Sequence, residues 1–560
     1  MPPNPFGTRS VVNQDAVRDG LTPPSVDAVL DKEVILGSLN GIAIWPNPDA
    51  FHAGADAAVP GVSDRGAHIP TETLAELKAK YLGKPLTFGA IGGIEETLHL
   101  GLLHKTDRLI GVVVPEQNLT PGVLHVIVTD AVLGEVRIEG NEHFADDRYL
   151  RHLRQRSGDA ISRTAFAEDL AWISRHPHRD VAGVYQPGAA HGTTDFVLRV
   201  EDERPWNVFF TFDNHGVELL GEERIGAGFL FGDLFGTDSV LLYQYLTDTE
   251  LDRYHAHFAQ LRLPLPSRHE LRLSGYLVDS EAATDFGGEP LIQDGRSWLA
   301  AAGYAVILPR WGSIDHEISA GFEAKSAESN LEFGQFGAFG SETEIYQFRL
   351  DYRAEDEWRS LGTWASLKNA GSLAALYSPG DWSSGNSAEA FQTVRAEAEA
   401  GYWIGQASLE SAITAFGLLR LDTRLRGQVA DGNLLPSEQL SLSGPDGVRG
   451  FEPYVVLADR GLVLSSELSL GTLSLGTALK HREVLRDTHL PFAFIDYGFG
   501  GSISALPGEE ARSLAAAGIG WRFLVNEVFS GTATYGWQIH ESGFEDEDEG
   551  RFQIGASVRW

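Results

Sequence analysis

Arg449 and Asp496 are charged residues in unusual sequence surroundings, and an ion pair between them would explain both. Arg449 lies in SGPDGVRGFEP, Ser443–Pro453, which holds three glycines and two prolines and is typical of a loop. Asp496 lies in the apolar, aromatic strand pattern PFAFIDYGFGG, where alternation puts the carboxylate on the face opposite Ile495. A carboxylate in such surroundings needs a cation, and a guanidinium can bind both of its oxygens. The sequence suggests such a pair, and the alternative interpretation is that Arg449 is an exposed charge in a flexible loop.

Other patterns that could do chemistry have simpler interpretations. The sequence has no G-x-S-x-G, H-E-x-x-H or Walker motif, and GAGFLFG at Gly226–Gly232 has the wrong spacing for a dinucleotide fingerprint. RHPHRD brings His176 and His178 together without further ligands, so a helix that stops at Pro177 is the better interpretation. The acidic run FEDEDEG, which includes residues 545–549, lacks the spaced ligands of a calcium loop and predicts a solvated outer loop. We therefore expect no enzyme activity, no cofactor and no metal site.

Composition narrows the class of protein. Glycine is frequent, at 62 of 560 residues, and aromatic residues reach 10%, which favours a turn-rich β structure. With 78 acidic and 44 basic residues the net charge is -34, which argues against a nucleic-acid partner. The absence of cysteine excludes disulfides and thiolate metal sites. No apolar run is long enough for a transmembrane helix, but the short, half-apolar strands of a membrane barrel would escape that test.

The first third of the chain mixes helices and strands. Residues 1–30 are rich in Pro, Asn and Asp and predict a tail or linker, in which residues 9–19 are a weak candidate for a short helix. The start lacks the basic and apolar regions of a signal peptide, and Met1 is the only methionine, which suggests a processed chain with a new initiator. Residues 31–132 and 133–204 each have the order β-α-α-β-β, which predicts two small α+β domains.

From residue 205 onward, helix signals nearly vanish and residues alternate with period two. The alternation is clear in QFRLDYRA, in AFQTVRAEAEAGYWIG and in the final RFQIGASVRW. Long polar segments expected to be loops, including residues 279–296 and 325–344, alternate with short connections such as GDLFGTD and LVNEVFS. That order is typical of an outer-membrane barrel with long outer loops and short periplasmic turns, whereas a soluble sandwich has no reason for it. We expect about sixteen antiparallel strands.

Longer segments resemble a known family, the outer-membrane transporters of two-partner secretion of the haemolysin-activator type, often called TpsB proteins. VVVPEQNLTPGVLHVIVTDAVLGEVRIEGN resembles the end of the family's first POTRA (polypeptide-transport-associated) domain and its junction to the second. LAWISRHPHRDVAGVYQPGAAHGTTDFVLRVEDERPW resembles the end of the second POTRA domain and the start of the barrel. LPSEQLSLSGPDGVRGF resembles the superfamily's signature loop, and FIDYGFG resembles the strand motif that receives its tip.

The resemblance implies a domain plan and a set of site residues. Residues 31–132 and 133–204 would be two POTRA domains, and residues 205–560 a barrel whose sixth outer loop, residues 430–460, folds back into the pore. The loop-tip motif would be Gly447, Val448, Arg449, Gly450 and Phe451. The motif on the barrel wall would be Phe494, Asp496 and Gly498, with Asp496 bound to Arg449. The terminal Trp560 resembles the aromatic signal that the barrel-assembly machinery recognises. Family members often begin with a helix that plugs the pore, for which residues 9–19 are the candidate here.

The resemblance also implies a function. A transporter of this type sits in the outer membrane of a bacterium with its POTRA domains in the periplasm. It recognises an unfolded exoprotein there and passes it through the barrel to the cell surface. The expected partners are a large β-helical exoprotein, outer-membrane lipid and the barrel-assembly machinery, with the transporter a monomer that binds no nucleic acid. The alternative is an insertase that folds other barrels into the membrane. A passive porin and an outer-membrane hydrolase fit less well, because the first has no use for POTRA domains and the second lacks a nucleophile motif.

Overall fold

The computed structural model describes ten stretches of the chain: residues 33–54, 60–103, 107–189, 193–286, 289–333, 336–356, 358–478, 485–507, 509–542 and 549–560. The chain divides into two compact units between Arg204 and Pro205. The predicted tail, the helix candidate at residues 9–19 and residues 545–548 of the acidic run lie outside the described residues. Within those ten stretches, none of the helices has the length and apolar character that a membrane span requires.

The N-terminal unit begins with an α+β domain. Its strands are β1 (Val34–Leu36), β2 (Gly41–Trp45), β3 (Gly61–Asp64), β4 (Leu86–Thr87), β5 (Ile110–Val113) and β6 (Val123–Asp130), and its helices are α1 (Pro48–Gly54), α2 (Thr71–Tyr81) and α3 (Phe88–Leu103). Four strands form one sheet in the order β3-β2-β6-β5. Helices α2 and α3 contribute Leu77 and Leu98 to a buried core with Ile42 and Val126. The short β3 and α1 are additions to the predicted order, since four half-buried residues carry too little periodicity to predict a strand.

A second α+β domain follows, with β7 (Val132–Glu139), α4 (Asp147–Leu150), α5 (Arg163–Ile173), β8 (Arg179–Pro187) and β9 (Thr193–Asp202). The sheet order is β7-β9-β8, with β7 parallel to β9. Helix α5 begins at a serine cap, because Ser162 Oγ accepts a hydrogen bond from Ala165 N at 3.1 Å. His176 and His178 are buried just beyond this helix, with ring centroids 5.7 Å apart. Among the described residues they belong to no group of three potential metal ligands.

Sixteen long antiparallel strands form a closed barrel, which confirms the predicted fold class. They are β10 (Trp206–Asp213), β11 (Arg224–Leu234), β12 (Ser239–Asp248), β13 (Tyr254–Leu265), β14 (His269–Phe286), β15 (Glu289–Ile307), β16 (Ile314–Phe333), β17 (Phe336–Asp356), β19 (Ala365–Pro379), β20 (Gly401–Ala415), β21 (Leu419–Ala430), β24 (Arg460–Leu470), β25 (Asp487–Gly501), β26 (Arg512–Val525), β27 (Phe529–Ser542) and β28 (Gly550–Arg559). Shorter elements are β18 (Arg359–Leu361), β22 (Leu440–Ser441), β23 (Leu457–Ala458), α6 (Ala388–Val394) and α7 (Leu475–Ala478). The barrel closes where β10 pairs with β28, with Phe210 opposite Val558.

The two faces of the barrel wall differ in the way that alternation predicts. On β25, Asp496 is fully buried, whereas its neighbours Ile495 and Tyr497 are 56% and 40% exposed. Gly226 and Gly228 of the GAGFLFG segment lie on β11, where a Cβ would meet Thr211 Oγ1 and the ring of Phe209. Large apolar side chains therefore cover the outside, and polar or small residues face the lumen.

Three segments differ from their predicted structure. Residues 279–296 and 325–344, expected to be loops, belong mostly to two hairpins whose strands β14 to β17 have 18, 19, 20 and 21 residues. A tilted strand needs only about 9 to 11 residues to cross a bilayer, so these hairpins continue beyond it. Main-chain pairing continues along both hairpins although their outer residues lack an alternating apolar pattern. The sequence therefore predicted loops there. The strand predicted over AFQTVRAEAEAGYWIG begins only at Gly401: residues 390–394 end the helix α6, and residues 395–400 form an irregular connection to β20. The helix is capped by Ser387 Oγ, which accepts from Ala390 N at 3.2 Å.

Candidate functional site

The connection between β21 and β24, which we call loop 6, folds against the inner wall of the barrel. Its tip makes a tight turn, in which Val448 N donates to Leu442 O at 2.8 Å and Gly447 N to Gly444 O at 2.9 Å. Val448 and Phe451 are fully buried. They pack in a cluster with residues from the wall and from the rest of the loop: Leu442, Val456, Ala458, Val463, Leu514 and Ala516. The burial of these apolar side chains holds the tip in place.

Arg449 at the tip meets Asp496 of β25 in a two-point contact. Its Nε donates to Oδ2 at 2.7 Å and its Nη2 donates to Oδ1 at 2.8 Å, while the backbone N of Arg449 also donates to Oδ2 at 3.1 Å. The guanidinium further donates to Glu467 Oε1 at 2.6 Å and to Ser465 Oγ at 3.0 Å. The planar fork of an arginine suits this arrangement, because parallel N–H groups match the two oxygens of a carboxylate.

Aromatic rings complete the surroundings of the guanidinium. Arg449 Cζ lies 3.6 Å from the ring centroid of Phe494, two residues before Asp496 on the same face of β25. A second arginine repeats the pattern: Arg522 of β26 donates to Glu467 Oε2 at 2.6 Å, and its Cζ lies 4.4 Å from the ring centroid of Phe492. Glu467 is therefore shared by two cations, and both stack on aromatic faces.

Glycines in the wall and the loop allow this close approach. A Cβ at Gly536 of β27 would come within 2.9 Å of the carbonyl carbon and oxygen of Arg449. A Cβ at Gly498 would meet Val448 Cγ2 at 3.0 Å. Gly450 has a φ of +102°, in the left-handed region that favours glycine. A side chain at any of these positions would displace the tip or strain its backbone.

The first part of loop 6, between β21 and the tip, has its own contact with the wall. Glu438 accepts hydrogen bonds from Lys325 Nζ at 2.8 Å and from Gln347 Nε2 at 3.3 Å. Lys325 Nζ also lies 3.2 Å from Glu323 Oε2, so that one ammonium is shared by two carboxylates. These groups come from β16 and β17, on a different part of the wall from the tip contacts.

The structure thus brings together the predicted residues of the loop tip and the wall, from Gly447 to Phe451 and at Phe494, Asp496 and Gly498. The sequence interpretation missed four others: Ser465, Glu467, Arg522 and Gly536. Alternation in RGLVLSSELSLG puts Ser465 and Glu467 on one strand face, but nothing local indicates which cation they meet. Trp560 lies elsewhere, 77% exposed beyond the end of β28, where its N and O bond to Val208 at 2.8 and 3.1 Å.

A closed barrel with two preceding α+β domains and a loop bound inside its lumen is the architecture of outer-membrane transporters with periplasmic POTRA domains. The sequence model of the haemolysin secretion/activation protein family ShlB/FhaC/HecB matches residues 192–523. The chain belongs to this family, whose members are transporters, and the resemblance to two-partner secretion transporters is confirmed.

Individual relatives agree with this assignment. The chain is 27% identical over 217 residues to outer membrane transporter CdiB-2 of Burkholderia pseudomallei, an alignment that spans 38% of this chain and 35% of that protein. It is 18% identical over 435 residues to the heme/hemopexin transporter protein HuxB of Haemophilus influenzae, covering 71% and 69% of the two chains. The solved structures of CdiB from Escherichia coli and from Acinetobacter baumannii share the fold, with TM-scores of 0.69 and 0.60, 18% identity, and coverage of 98% of this chain and 95% of each of theirs.

Proposed function

We propose that this protein is the translocase of a two-partner secretion pair, which binds an unfolded exoprotein in the periplasm and passes it through the barrel to the cell surface. In this proposal residues 31–132 and 133–204 are the POTRA domains, and residues 205–560 are the conduit. The observation that carries it is loop 6 bound inside the lumen through Arg449, Asp496 and Glu467. A segment that fills a pore through polar contacts can be released, which a conduit for an unfolded chain requires and a passive porin does not.

Client recognition is assigned to the sheet edges of the N-terminal domains. The end strands of their two main sheets are β3, β5, β7 and β8. An extended client can pair with such a strand through main-chain hydrogen bonds, with little demand on its own sequence. Beside β7 lies a groove lined by Val136, Leu150 and Leu153, which gives alternate side chains of a bound strand an apolar surface.

The lumen suits the passage of a polar, unfolded chain. Charged groups on its wall are paired with one another, as in Arg272, which donates to Glu317 at 2.8 Å and to Glu270 at 2.7 Å. Paired charges solvate a passing main chain without binding one charge sign tightly. Because the periplasm supplies no nucleotide, folding of the client outside the cell is the proposed driving force.

The remaining partners belong to the same proposal. The client is a large β-helical exoprotein, the barrel wall contacts outer-membrane lipid, and Trp560 is the signal for the barrel-assembly machinery. Support for the lipid contact comes from the exposed apolar side chains on the outer face, such as Ile495 and Phe499. The protein acts as a monomer, since one closed barrel with its own loop 6 contains the complete conduit.

The insertase alternative makes a different prediction in cells. Deletion of the gene should stop secretion of one large exoprotein while other outer-membrane proteins stay at normal levels, measured by comparing the secreted and outer-membrane proteomes of deletion and wild-type strains. Plasmid-borne wild-type gene should restore the missing exoprotein. A general loss of barrels with no single missing exoprotein would contradict the translocase and favour the insertase.

A further inference from the structure

We propose that Asp459 and Arg395 form a second latch, which holds the outer mouth of the barrel closed independently of the tip contact at Arg449. The proposal concerns the closed barrel itself, and it rests on the proposed function only in assigning the opening to the passage of a client. Asp459 is the last residue of loop 6 before β24, so it stands at the outer end of the loop, away from the tip.

Asp459 is fully buried and accepts hydrogen bonds from three different outer loops. Arg395, in the connection between β19 and β20, donates Nη2 to Oδ2 at 2.9 Å and Nη1 to Oδ1. Ile503 N, in the connection between β25 and β26, donates to Oδ2 at 3.0 Å. Within loop 6, Leu434 N and Gln439 Nε2 each donate to Oδ1 at 3.0 Å. One carboxylate therefore joins loop 6 to the connection between β19 and β20, which we call loop 5, and to the connection between β25 and β26, which we call loop 7.

The carboxylate is held in its charged form. Burial acts to raise the pKa of Asp459, but hydrogen bonds from Arg395 and from the backbone N–H groups of Leu434 and Ile503 outweigh it and leave the pKa below its ordinary value. A buried charge of this kind depends on its partners, because removing one partner leaves the other uncompensated.

Neighbouring contacts join the same three loops. Arg395 Nη2 donates to Ser502 Oγ at 3.0 Å. Asn433 Nδ2 donates to Ser504 O at 3.0 Å and to Ala396 O at 3.2 Å, and Asn433 Oδ1 accepts from Ser504 N at 2.8 Å. The connections therefore meet through main-chain and side-chain bonds as well as through the ion pair.

Beneath these polar contacts lies a buried apolar cluster that joins loops 5 and 6 to the wall. Its members come from α6 and the residues after it, from loop 6 and from β17, β19 and β20: Phe391, Ala398, Ala400, Leu434, Leu435, Ile345, Leu376, Tyr402 and Ile404. Loop 5 and the first part of loop 6 thus pack together on the inner wall. Releasing the ion pair above the cluster would expose Leu435, which is 3% exposed in the closed barrel.

The latch and the tip are separate in space. Asp459 N donates to Gly501 O at the outer end of β25, whereas Arg449 binds Asp496 further down the same strand. The separation from Asp496 to Gly501 is roughly 17 Å at the rise of a β-strand. The two latches share no ion-pair partner, so the release of one leaves the contacts of the other intact.

Single engineered cysteines test the latch, because the chain has no cysteine of its own. Leu435→Cys reports on the outer mouth and Val448→Cys on the tip, both labelled in outer-membrane fragments, where a hydrophilic maleimide reaches the barrel from both sides. With Arg395→Ala, labelling at position 435 should accelerate roughly tenfold or more, as expected when a buried ion pair loses one partner. Labelling at position 448 should stay slow. With Arg449→Ala, labelling at position 448 should accelerate and labelling at position 435 should stay slow.

Controls separate a latch from general loosening of the barrel. Arg296→Ala, which breaks an exposed pair with Asp279 on the outer hairpin, should change neither rate. Arg395→Lys keeps the charge and should give an intermediate rate at position 435. If Arg395→Ala fails to assemble as a heat-modifiable barrel, Asp459→Asn takes its place. Unchanged labelling at position 435, or equal acceleration at both positions, would overturn the proposal, and neither outcome depends on whether an exoprotein is secreted.

Discussion

Arg449 shows how one buried side chain can set the position of a whole loop. Two carboxylates, a hydroxyl and a phenyl ring meet its guanidinium, and they come from the neighbouring strands β24 and β25. Charge burial costs free energy that the contacts offset, so such a cluster adds more to geometric specificity than to net stability. Its consequence is that the tip of loop 6 has one position on the wall.

Substitution of this arginine should therefore change transport more than assembly. Arg449→Ala leaves Asp496 and Glu467 without the cation between them, and we expect lower secretion and altered channel conductance, with the barrel still heat-modifiable on a gel. Secretion and conductance of Arg449→Lys should lie between those of the wild type and those of Arg449→Ala, because an ammonium cannot bind both oxygens of Asp496 in parallel. Planar-bilayer recordings and secretion assays measure the effect.

The matched control for this series is Arg296→Ala, which removes an exposed arginine far from the lumen contacts. Its conductance and secretion should equal those of the wild type. Wild-type transport by Arg449→Ala would show that the tip contact is not used, whatever its geometry.

Only part of this cluster could be predicted from the sequence. Arg449 and Asp496 could be paired because each is anomalous in its own segment, one in a glycine-rich loop and the other in an apolar strand. Glu467 and Arg522 could not be assigned to the cluster from the sequence, since a charged residue that faces a water-filled lumen is ordinary in a barrel strand. Which charges meet across strands depends on register and loop path, and neither is written locally in the sequence.

Among the elements of the fold, the contact between loop 6 and the glycines of the barrel wall sets the strictest limit on side-chain size. Gly536 faces the main chain of Arg449 and Gly450 with no room for a methyl group. Strand β27 thus needs a glycine for a reason of packing, although the residue is far from the tip in sequence.

Gly536→Ala should push the tip off the wall while leaving the ion pair chemically intact. We expect faster maleimide labelling of Val448→Cys and a conductance change in the same direction as that of Arg449→Ala. Gly427→Ala is the matched control, because a Cβ there would lie 3.6 Å from Gly461 O, an ordinary contact. Equal labelling in the two alanine variants would mean that the tip tolerates the added methyl group.

Elements whose apolar residues repeat with a clear period could be predicted from the sequence, and elements without such a repeat could not. Helices α2, α3 and α5 and the strands around them followed from their apolar spacing. The outer parts of β14 to β17 are strands because each pairs with its hairpin partner along its full length, even where polar residues remove the alternation. The strand predicted over AFQTVRAEAEAGYWIG was wrong before Gly401, because Glu and Ala alternate at residues 396–400 although these residues form an irregular connection. The serine cap starts the short helix α6 just before them.

At the scale of the whole molecule, the barrel and the N-terminal domains divide the work of secretion in our proposal. Because the number of strands is even, the first and last strands run antiparallel, and the pairing of β10 with β28 closes the wall. The net charge of -34 argues against a nucleic-acid partner. Loop 6, latched at its tip and at Asp459, is the part of the conduit that must move.

The most direct test of the translocase is reconstitution of the purified protein alone in liposomes. The client is the exoprotein whose export the gene deletion abolishes, added unfolded on the side that carries the N-terminal domains, without nucleotide. We predict that this client becomes protected from added protease inside the vesicles, and that liposomes with Arg449→Ala protein protect less of it. Full digestion of the client in the wild-type vesicles, together with faster folding of an unrelated barrel protein into the same membranes, would contradict the account.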